Sequence, residues 1–592
     1  MLPESGLRPG DDLATVDPAG PAHVARVRLG EVFTREERLA LVAPPGSVYR
    51  YTMTVPAAGR LRFGLGVLDS AAKGGAVQMQ VRIGKRGAVA EPILDRKVAA
   101  EVPGRWHDEE LDLAAWGGQE VTLELAALAG ASEGLLGAWS SPLLSVGSSA
   151  GGQNSGTVGG VGGGSGAKRP NIVWISLDTL RADHLGTYGY ERPTSPNLDA
   201  FAARSLRFDW AISQAPWTRP SHRSMLTGVY PASRGGLDSP MIGEVLYRAG
   251  YQTFAVTGGG QVDSTLGFDR GFEIYRVDDW IHQPSRIVEW VRSRSERPYF
   301  LFLHCYETHE PYTHTRFAEG MPSGRLAGEF SKEIWNRLRK RFSEEEMRYA
   351  EALYDGDIAY TDARIGEFFS GFEGAGELAD SIIIVTSDHG EQFWEHGSWG
   401  HGQNLHDHQI HVPLLVFLPE SVKAELALKS RGKGKGQPVT QGAIEDQVEL
   451  IDLYPTLLEL IGVGMDGPVN GRSLVSVLAG QGSLPDREAF AEHTNIKENE
   501  QKALRTPRYK FMVSIPRKSS AATGESYELF DLKRDPGEQK NLAPGLPAKV
   551  VELRAKLGRI MDGSDTARDE EVPADIDEAL REQLKALGYI GN

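Results

Sequence analysis

At 592 residues the chain is too long for a single hydrophobic core, so it must divide into two or more domains. Hydrophobic residues make up 40% and charged residues 24%, the balance of an ordinary globular protein. A formal net charge of −16 with no compensating basic face argues against a nucleic-acid partner, and no run of eighteen apolar residues is present to span a membrane.

The N-terminus, Met1-Leu2-Pro3-Glu4-Ser5, has neither the basic nor the apolar region of a signal peptide. The default expectation is therefore a cytoplasmic protein, with a periplasmic or extracellular location requiring a leader removed from this chain. From about residue 20 to 146 the pattern is that of strands. Ser47–Val55, Val77–Ile83 and Val121–Leu125 alternate with period two between Gly- and Pro-rich turns, which predicts a small all-β sandwich over residues 1–146. It has no titratable cluster and reads as an accessory domain. Residues 147–168 are nearly all Gly, Ser and other small residues and cannot bury enough surface to offset their ordering entropy, so they are expected to form a flexible linker. A phosphate-cradling loop is the weaker reading there, because no strand leads in and no Gly-Lys-Ser/Thr closes it.

After the linker the pattern becomes α/β, over a second domain of residues 169–592 with a C-terminal subdomain from about 485. Asn171–Leu177, Tyr299–Leu303 and Ser381–Ser387 are nearly continuous apolar runs, as in buried parallel strands. Helical periodicity follows at Pro196–Ser205, Phe342–Phe369 and Val448–Ile461. Alternating strands and helices imply a mainly parallel sheet sandwiched by helices, with polar site residues gathered at the carboxyl ends of the strands. Cys305 is the only cysteine; it excludes an intrachain disulfide, and its apolar neighbours predict a buried, inert thiol. The basic run Arg431-Gly432-Lys433-Gly434-Lys435 reads as a solvated loop.

Chemistry concentrates at two strand ends. Asp178 closes the first strand, and Asp388-His389 closes Ser381–Ser387. Two carboxylates and an imidazole so placed are ligands for a divalent cation, although each residue alone could equally be a helix cap. Between them lies Thr218-Arg219-Pro220-Ser221-His222-Arg223-Ser224-Met225-Leu226-Thr227-Gly228. This segment resembles the active-site signature of the sulfatases, which reads Cys or Ser, any residue, Pro, Ser, Arg, and ends in Leu-Thr-Gly. The opening strand to Asp178, the stretch Pro193-Thr194-Ser195-Pro196-Asn197, and Tyr527–Leu532 with Asp535-Pro536-Gly537-Glu538 are also similar to that family, a branch of the alkaline phosphatase superfamily.

The resemblance implies an alkaline-phosphatase-like fold and a small anionic ester as substrate. It makes Asp178, Asp388 and His389 metal ligands, with the Thr218 oxygen completing the shell. His309 would contact the oxyanion or leaving oxygen, and His401 falls where sulfatases place a lysine. Four departures stand out. Thr218 replaces the residue that sulfatases oxidise to formylglycine, Thr179 replaces a further metal-binding aspartate, His222 replaces the arginine that braces the nucleophile, and His401 replaces the lysine. The lean carboxylate set suits Mn, Mg or Zn at least as well as Ca. One ion is expected, and a second is left open if His304, His309 and His401 assemble.

These departures are similar to relatives with a threonine nucleophile, the phosphodiesterase branch and the lipoteichoic acid synthases. The reaction they imply is attack by Thr218, activated by the metal, on a phosphoester, diesters foremost, with His309 or His401 protonating the leaving oxygen and a covalent phospho-threonine then resolved by water or, in a transferase, by an acceptor hydroxyl. The alternatives are a sulfatase working without formylglycine and a non-catalytic anion-binding protein. His396, His406, His408 and His411 crowd residues 395–412 and read as loop residues at the cleft mouth, with a metal tract as the sharper alternative. His406 and Asp407 fall where the family often has a polar pair facing substrate. Asp355 and Asp357 lie in a helical pattern and are expected to cap or face solvent.

Overall fold

The computed structural model describes residues 23–562, except 30–35, 70–74, 101–104, 129–134, 147–168, 232–238, 293–296, 339–340, 431–436, 466, 485–486, 495–498 and 517–523, and in addition residues 580, 581 and 584. The expected linker and the basic run at 431–435 lie outside the described residues.

The N-terminal part is all β: β1 (His23–Leu29), β2 (Glu36–Ala43), β3 (Val48–Thr54), β4 (Gly59–Asp69), β5 (Ala76–Lys85), β6 (Glu91–Ala99), β7 (His107–Asp112), β8 (Glu120–Ala127) and β9 (Leu135–Val146). One antiparallel sheet runs β3-β8-β5-β6 and a second contains β2-β9-β4-β7. Val77, Met79, Val81 and Ile83 alternate along β5, and all four are fully buried. They meet Leu61, Phe63, Leu65 and Trp139 of the other sheet in one core, which is how a period-two pattern becomes a sandwich.

The α/β part contains β10 (Asn171–Leu177), β11 (Leu206–Ile212), β12 (Gln252–Thr257), β13 (Ile274–Val277), β14 (Tyr299–Cys305), β15 (Ser381–Thr386), the small hairpin β16 (Gln392–Phe393) and β17 (Trp399–Gly400), then β18 (His411–Val412), β19 (Leu414–Phe417) and β20 (Gly442–Glu449). The sheet order is β18-β11-β19-β15-β10-β14-β12-β13. β10 is central and runs parallel to both β14 and β15. Its residues alternate between two cores: Ile172 and Trp174 enter one, Val173, Ile175 and Leu177 the other. A strand covered on both faces reads as a continuous apolar run for this reason. The 31-residue helix Glu344–Gly374 packs in the second core, started by a capping box in which Ser343 Oγ accepts from Glu346 N–H.

β13 does not end the sheet, because β2 pairs with it antiparallel, with Arg38, Glu37 and Glu36 opposite Ile274, Tyr275 and Arg276. The N-terminal sheet therefore continues the α/β sheet. The helix expected at Val448–Ile461 is shorter: β20 stays paired to β11 as far as Glu449, so a turn at Leu450–Asp452 precedes the helix Leu453–Leu460. A separate antiparallel sheet, β21 (Ala489–His493), β22 (Asn499–Arg505), β23 (Tyr509–Pro516) and β24 (Ser526–Asp531), packs under the helix Pro547–Asp562. No helix among the described residues is long and apolar enough to cross a membrane.

Candidate active site

The carboxyl ends of β10, β14 and β15 converge on the N-terminus of the helix Thr218–Thr227. Strand register does most of the positioning. Ser176 of β10 lies opposite His304 of β14, and period-two alternation turns Ser176, Asp178 and His304 toward the side on which that helix packs. Thr218 is the first helical residue, after extended Trp217, and is fully buried.

Thr218 Oγ1 donates to Asp178 Oδ2 at 3.3 Å and lies 3.3 Å from His389 Nε2. Asp178, Asp388 and His389 each bring one ligand atom within 4.8 Å of the others, all three residues being buried. The backbone fixes the tautomer of each imidazole, since a carbonyl can only accept. His389 Nδ1–H donates to Gly390 O at 2.9 Å, leaving the Nε2 lone pair toward Asp178, Asp388 and Thr218. Gly390 has to be glycine here: a Cβ would sit 2.1 Å from the His408 carbonyl oxygen. His222, one helical turn beyond Thr218, donates from Nδ1 to the Thr218 carbonyl at 2.9 Å and accepts from Ser176 Oγ at 3.0 Å. It also lies 3.3 Å from Asp388 Oδ2. His304 accepts at Nδ1 from Gly258 N–H and donates from Nε2 to Asp178 Oδ2 at 3.2 Å.

Two oxygens of this group, Asp178 Oδ1 and Asp388 Oδ2, are buried without a hydrogen-bond partner. Burial, then the neighbouring Asp388 charge, pushes the Asp178 carboxyl well above its usual range. Burial lowers the His389 imidazole to about 4, which leaves it a neutral donor near pH 7. Two orphaned carboxylate oxygens facing a neutral imidazole lone pair and a hydroxyl fit a divalent cation, which would satisfy all four at once.

Next to His389 lie His401, its ring centroid 4.7 Å from the His389 ring, and His309, 4.9 Å from the His401 ring. His309 Nδ1–H donates to Glu310 O at 2.8 Å. His401 Nδ1 lies 3.2 Å from Glu391 Oε2, which also accepts from Tyr312 OH at 2.7 Å. Burial lowers His309 and His401 to about 3 each, whereas it raises the Glu391 carboxyl.

Residues 170–463 match the sulfatase family model, and residues 394–562 match the model of the C-terminal region of N-sulphoglucosamine sulphohydrolase. The chain belongs to the sulfatase family. As a member of it, the protein is a hydrolase acting on ester bonds, of a family generally dependent on a divalent metal. It is 25% identical over 458 residues to an arylsulfatase of Clostridium perfringens, covering 63% of this chain and 90% of that one. Its fold is similar to that of the phosphonate monoester hydrolase of Agrobacterium radiobacter, with a TM-score of 0.50 and 20% identity over 67% of this chain and 96% of that chain. It is also similar to a structure solved with its substrate D-glucosamine-2-N,6-O-disulfate, with a TM-score of 0.51 and 18% identity over 68% of this chain and all of that one.

Within this sulfatase-family site, the residues singled out from the sequence, Asp178, Thr218, His222, His309, Asp388, His389 and His401, all lie together. Thr179, where the family pattern has an aspartate, turns away: it is held at φ 58° and its Oγ1 donates to Thr308 O at 2.6 Å. His304, His309 and His401 do not form a second donor group among the described residues; His304 serves Asp178 and His401 faces Glu391. Glu391 was missed, although it stands three residues beyond Asp388 in the same segment.

Other expectations need correction. Asp355 and Asp357 are buried in the middle of the long helix rather than solvated, where Asp355 holds His184 and Tyr190 at 2.7 Å each and Asp357 holds His314 at 2.6 Å. Asp407 does not face the Thr218 site; it is ion-paired with Arg505 at 2.9 Å and Lys510 at 2.8 Å of the C-terminal sheet. His411 Nε2 donates to Asp209 O and its ring stacks on Trp210. Cys305 is buried, as expected.

Proposed function

We propose that this sulfatase-family protein hydrolyses phosphoesters, diesters foremost, through Thr218 as nucleophile. The observation that carries the reading is the Thr218 hydroxyl itself, buried at a helix N-terminus and 3.3 Å from both Asp178 Oδ2 and His389 Nε2. Asp178, Asp388, His389 and Thr218 would hold one divalent ion. Such an ion lowers the pKa of the hydroxyl and offsets charge on the nonbridging oxygens.

Thr218 Oγ1 attacks phosphorus in line, forming an O–P bond while the bond to the leaving oxygen breaks. Asp178 Oδ2 is the hydrogen-bond acceptor for the hydroxyl proton. The helix N-terminus supplies backbone N–H groups and positive potential to the anionic group. His222 keeps the nucleophile in place through the Thr218 carbonyl. His309 presents its unprotonated Nε2, because Nδ1–H is committed to Glu310 O, so it suits activation of the water that later displaces Thr218. His401 is the better candidate to deliver a proton to the leaving oxygen, since the Glu391 carboxyl behind it, raised by burial, is placed to pass one through the imidazole.

The choice of phosphorus follows from carbon chemistry. A formylglycine hydrate expels sulfate through its second hydroxyl, whereas a threonine ester has no such exit and waits for attack at the central atom. Family membership favours a sulfate ester as the second reading, and the test separates the two. The metal-loaded protein is assayed on aryl phosphodiesters, phosphomonoesters, phosphonate monoesters and sulfates. Phosphodiester turnover that falls roughly 10³-fold or more in Thr218→Ala, and partly survives in Thr218→Ser, supports the proposal. Turnover of sulfates alone overturns it, and no turnover of any ester replaces it with anion binding.

A further inference from the structure

Away from Thr218, the β16–β17 hairpin meets the turn that follows β24 over a group of buried donors. His396 lies between the two hairpin strands, His406 and His408 flank the start of the short helix Asp407–Ile410, and Glu538 ends the turn Asp535–Glu538. Donor atoms of His396, His406 and Glu538 lie within 4.8 Å of one another. His396 Nε2, His406 Nδ1, His408 Nε2 and Glu538 Oε1 are shielded from solvent, and none has a hydrogen-bond partner. Lys510 Nζ approaches Glu538 Oε1 to 3.0 Å as an ion pair, but off the direction a hydrogen bond requires; its charge is shared with Asp407. His406 and Glu538 are 6% and 3% exposed. Buried imidazole nitrogens of His396 and His406 without a hydrogen-bond partner, beside a buried carboxylate, call for a common ligand, since each nitrogen alone forfeits the partner it would have in water.

We propose that His396, His406 and Glu538, with His408 beside them, bind a second divalent transition ion distinct from the one at Thr218, zinc being the ion that suits the donors. Two imidazole nitrogens and a carboxylate oxygen, with a third imidazole 5.2 Å from the His396 ring, make a borderline-soft set that favours zinc over magnesium or calcium. Burial, reinforced by His406, lowers His396, and burial lowers His408 well below its usual range, so both are neutral and have lone pairs to give. Glu538 holds a left-handed backbone at φ 56°, a conformation unfavourable for a residue with a Cβ and retained where surrounding structure over-determines it.

The His396 and His406 rings stack at 3.7 Å with planes 6° apart, so their lone pairs run side by side. Closing on one ion turns the half-buried His396 ring about its side-chain bonds and draws the donors in to roughly 3.4 Å separations, the spacing of a tetrahedral zinc shell. The ion would join the C-terminal sheet to the hairpin whose last residue, Gly400, precedes His401.

The full-length protein is stripped with chelator, dialysed against micromolar Zn²⁺, and its metal content per chain is measured for wild type, His406→Gln, Glu538→Gln and Asp388→Asn. The expected result is that His406→Gln and Glu538→Gln each bind one ion fewer than wild type and lose one set of visible bands when Co²⁺ replaces zinc. Asp388→Asn should keep those bands, which separates failure here from failure of the Thr218 proposal. Unchanged stoichiometry and spectra in both variants overturn the inference. Should either variant fail to fold, His396→Gln, at a half-buried position, carries the same comparison.

Discussion

His401 and Glu391 show how the chemistry of one residue depends on its neighbour. With its imidazole lowered to about 3, His401 carries almost no proton of its own near neutral pH, so in the proposed mechanism the leaving-group proton would be relayed through it from the Glu391 carboxyl, which the same burial raises. If His401 protonates the leaving oxygen, His401→Gln should cut turnover about 10²- to 10⁴-fold for alkyl leaving groups and far less for nitrophenyl ones, which depart without help. Equal losses on both, measured as kcat across a leaving-group series, would remove His401 from that role. His304 acts one step further back, donating from Nε2 to Asp178 Oδ2. Its replacement by Ala should weaken metal binding roughly 10- to 100-fold, seen in a competition titration with a chelator, while leaving the fold intact by circular dichroism.

The strands and helices explain why some of this was readable in the sequence. β10 was legible to the residue, because burial on both faces writes a continuous apolar run, and Asp178 follows from where that run stops. The order of motifs identified Thr218, His222, His309, Asp388, His389 and His401. Glu391 was not legible, since its role comes from Tyr312 and His401, which reach it from other segments. The left-handed turn at Thr179 and the pairing of β2 with β13 were equally hidden, because neither leaves a periodic trace. That pairing carries its own prediction. Glu36 accepts hydrogen bonds from Arg38 at 2.5 Å and from Arg276 Nε of β13 at 3.1 Å. Burial opposes its charge, yet the two guanidinium groups hold its carboxyl at about 2, below the ordinary 4.5. A lowered carboxyl stabilises the folded state fully above pH 4.5 and loses that contribution as the pH falls toward 2, up to ~3 kcal/mol in all. Between pH 5 and 3.5 the melting temperature of wild type should therefore fall more steeply than that of Glu36→Gln, which starts lower. Parallel curves in differential scanning calorimetry would show that this ion pair does not couple the two parts.

At the scale of the whole molecule, the accessory sandwich completes the catalytic sheet rather than hanging from it. The two cores around β10 draw their N-terminal-most residues from Ile172 and Val173, so the catalytic part has what it needs to fold without residues 1–146. Without them, however, β13 becomes a bare edge whose N–H and C=O groups can pair with another chain. A second contact is lost as well: Glu37 Oε1 accepts from Ser264 Oγ at 2.6 Å, and the turn at Ser264 follows Gln261, which accepts from Arg219 Nε at 2.8 Å beside the nucleophile. A fragment of residues 169–592 should consequently remain folded, melt several degrees lower, and associate with rising concentration in sedimentation velocity more than the full chain does. Its kcat should fall while its metal content holds, because the Arg219 wall loosens, whereas the hydrogen bonds and ion pairs of Asp178, Asp388 and His389 among the described residues all lie within the α/β part. A fragment with the melting temperature, sedimentation and kcat of the full chain would show that the sheet ends at β13 in energy, although it continues through β2 in space.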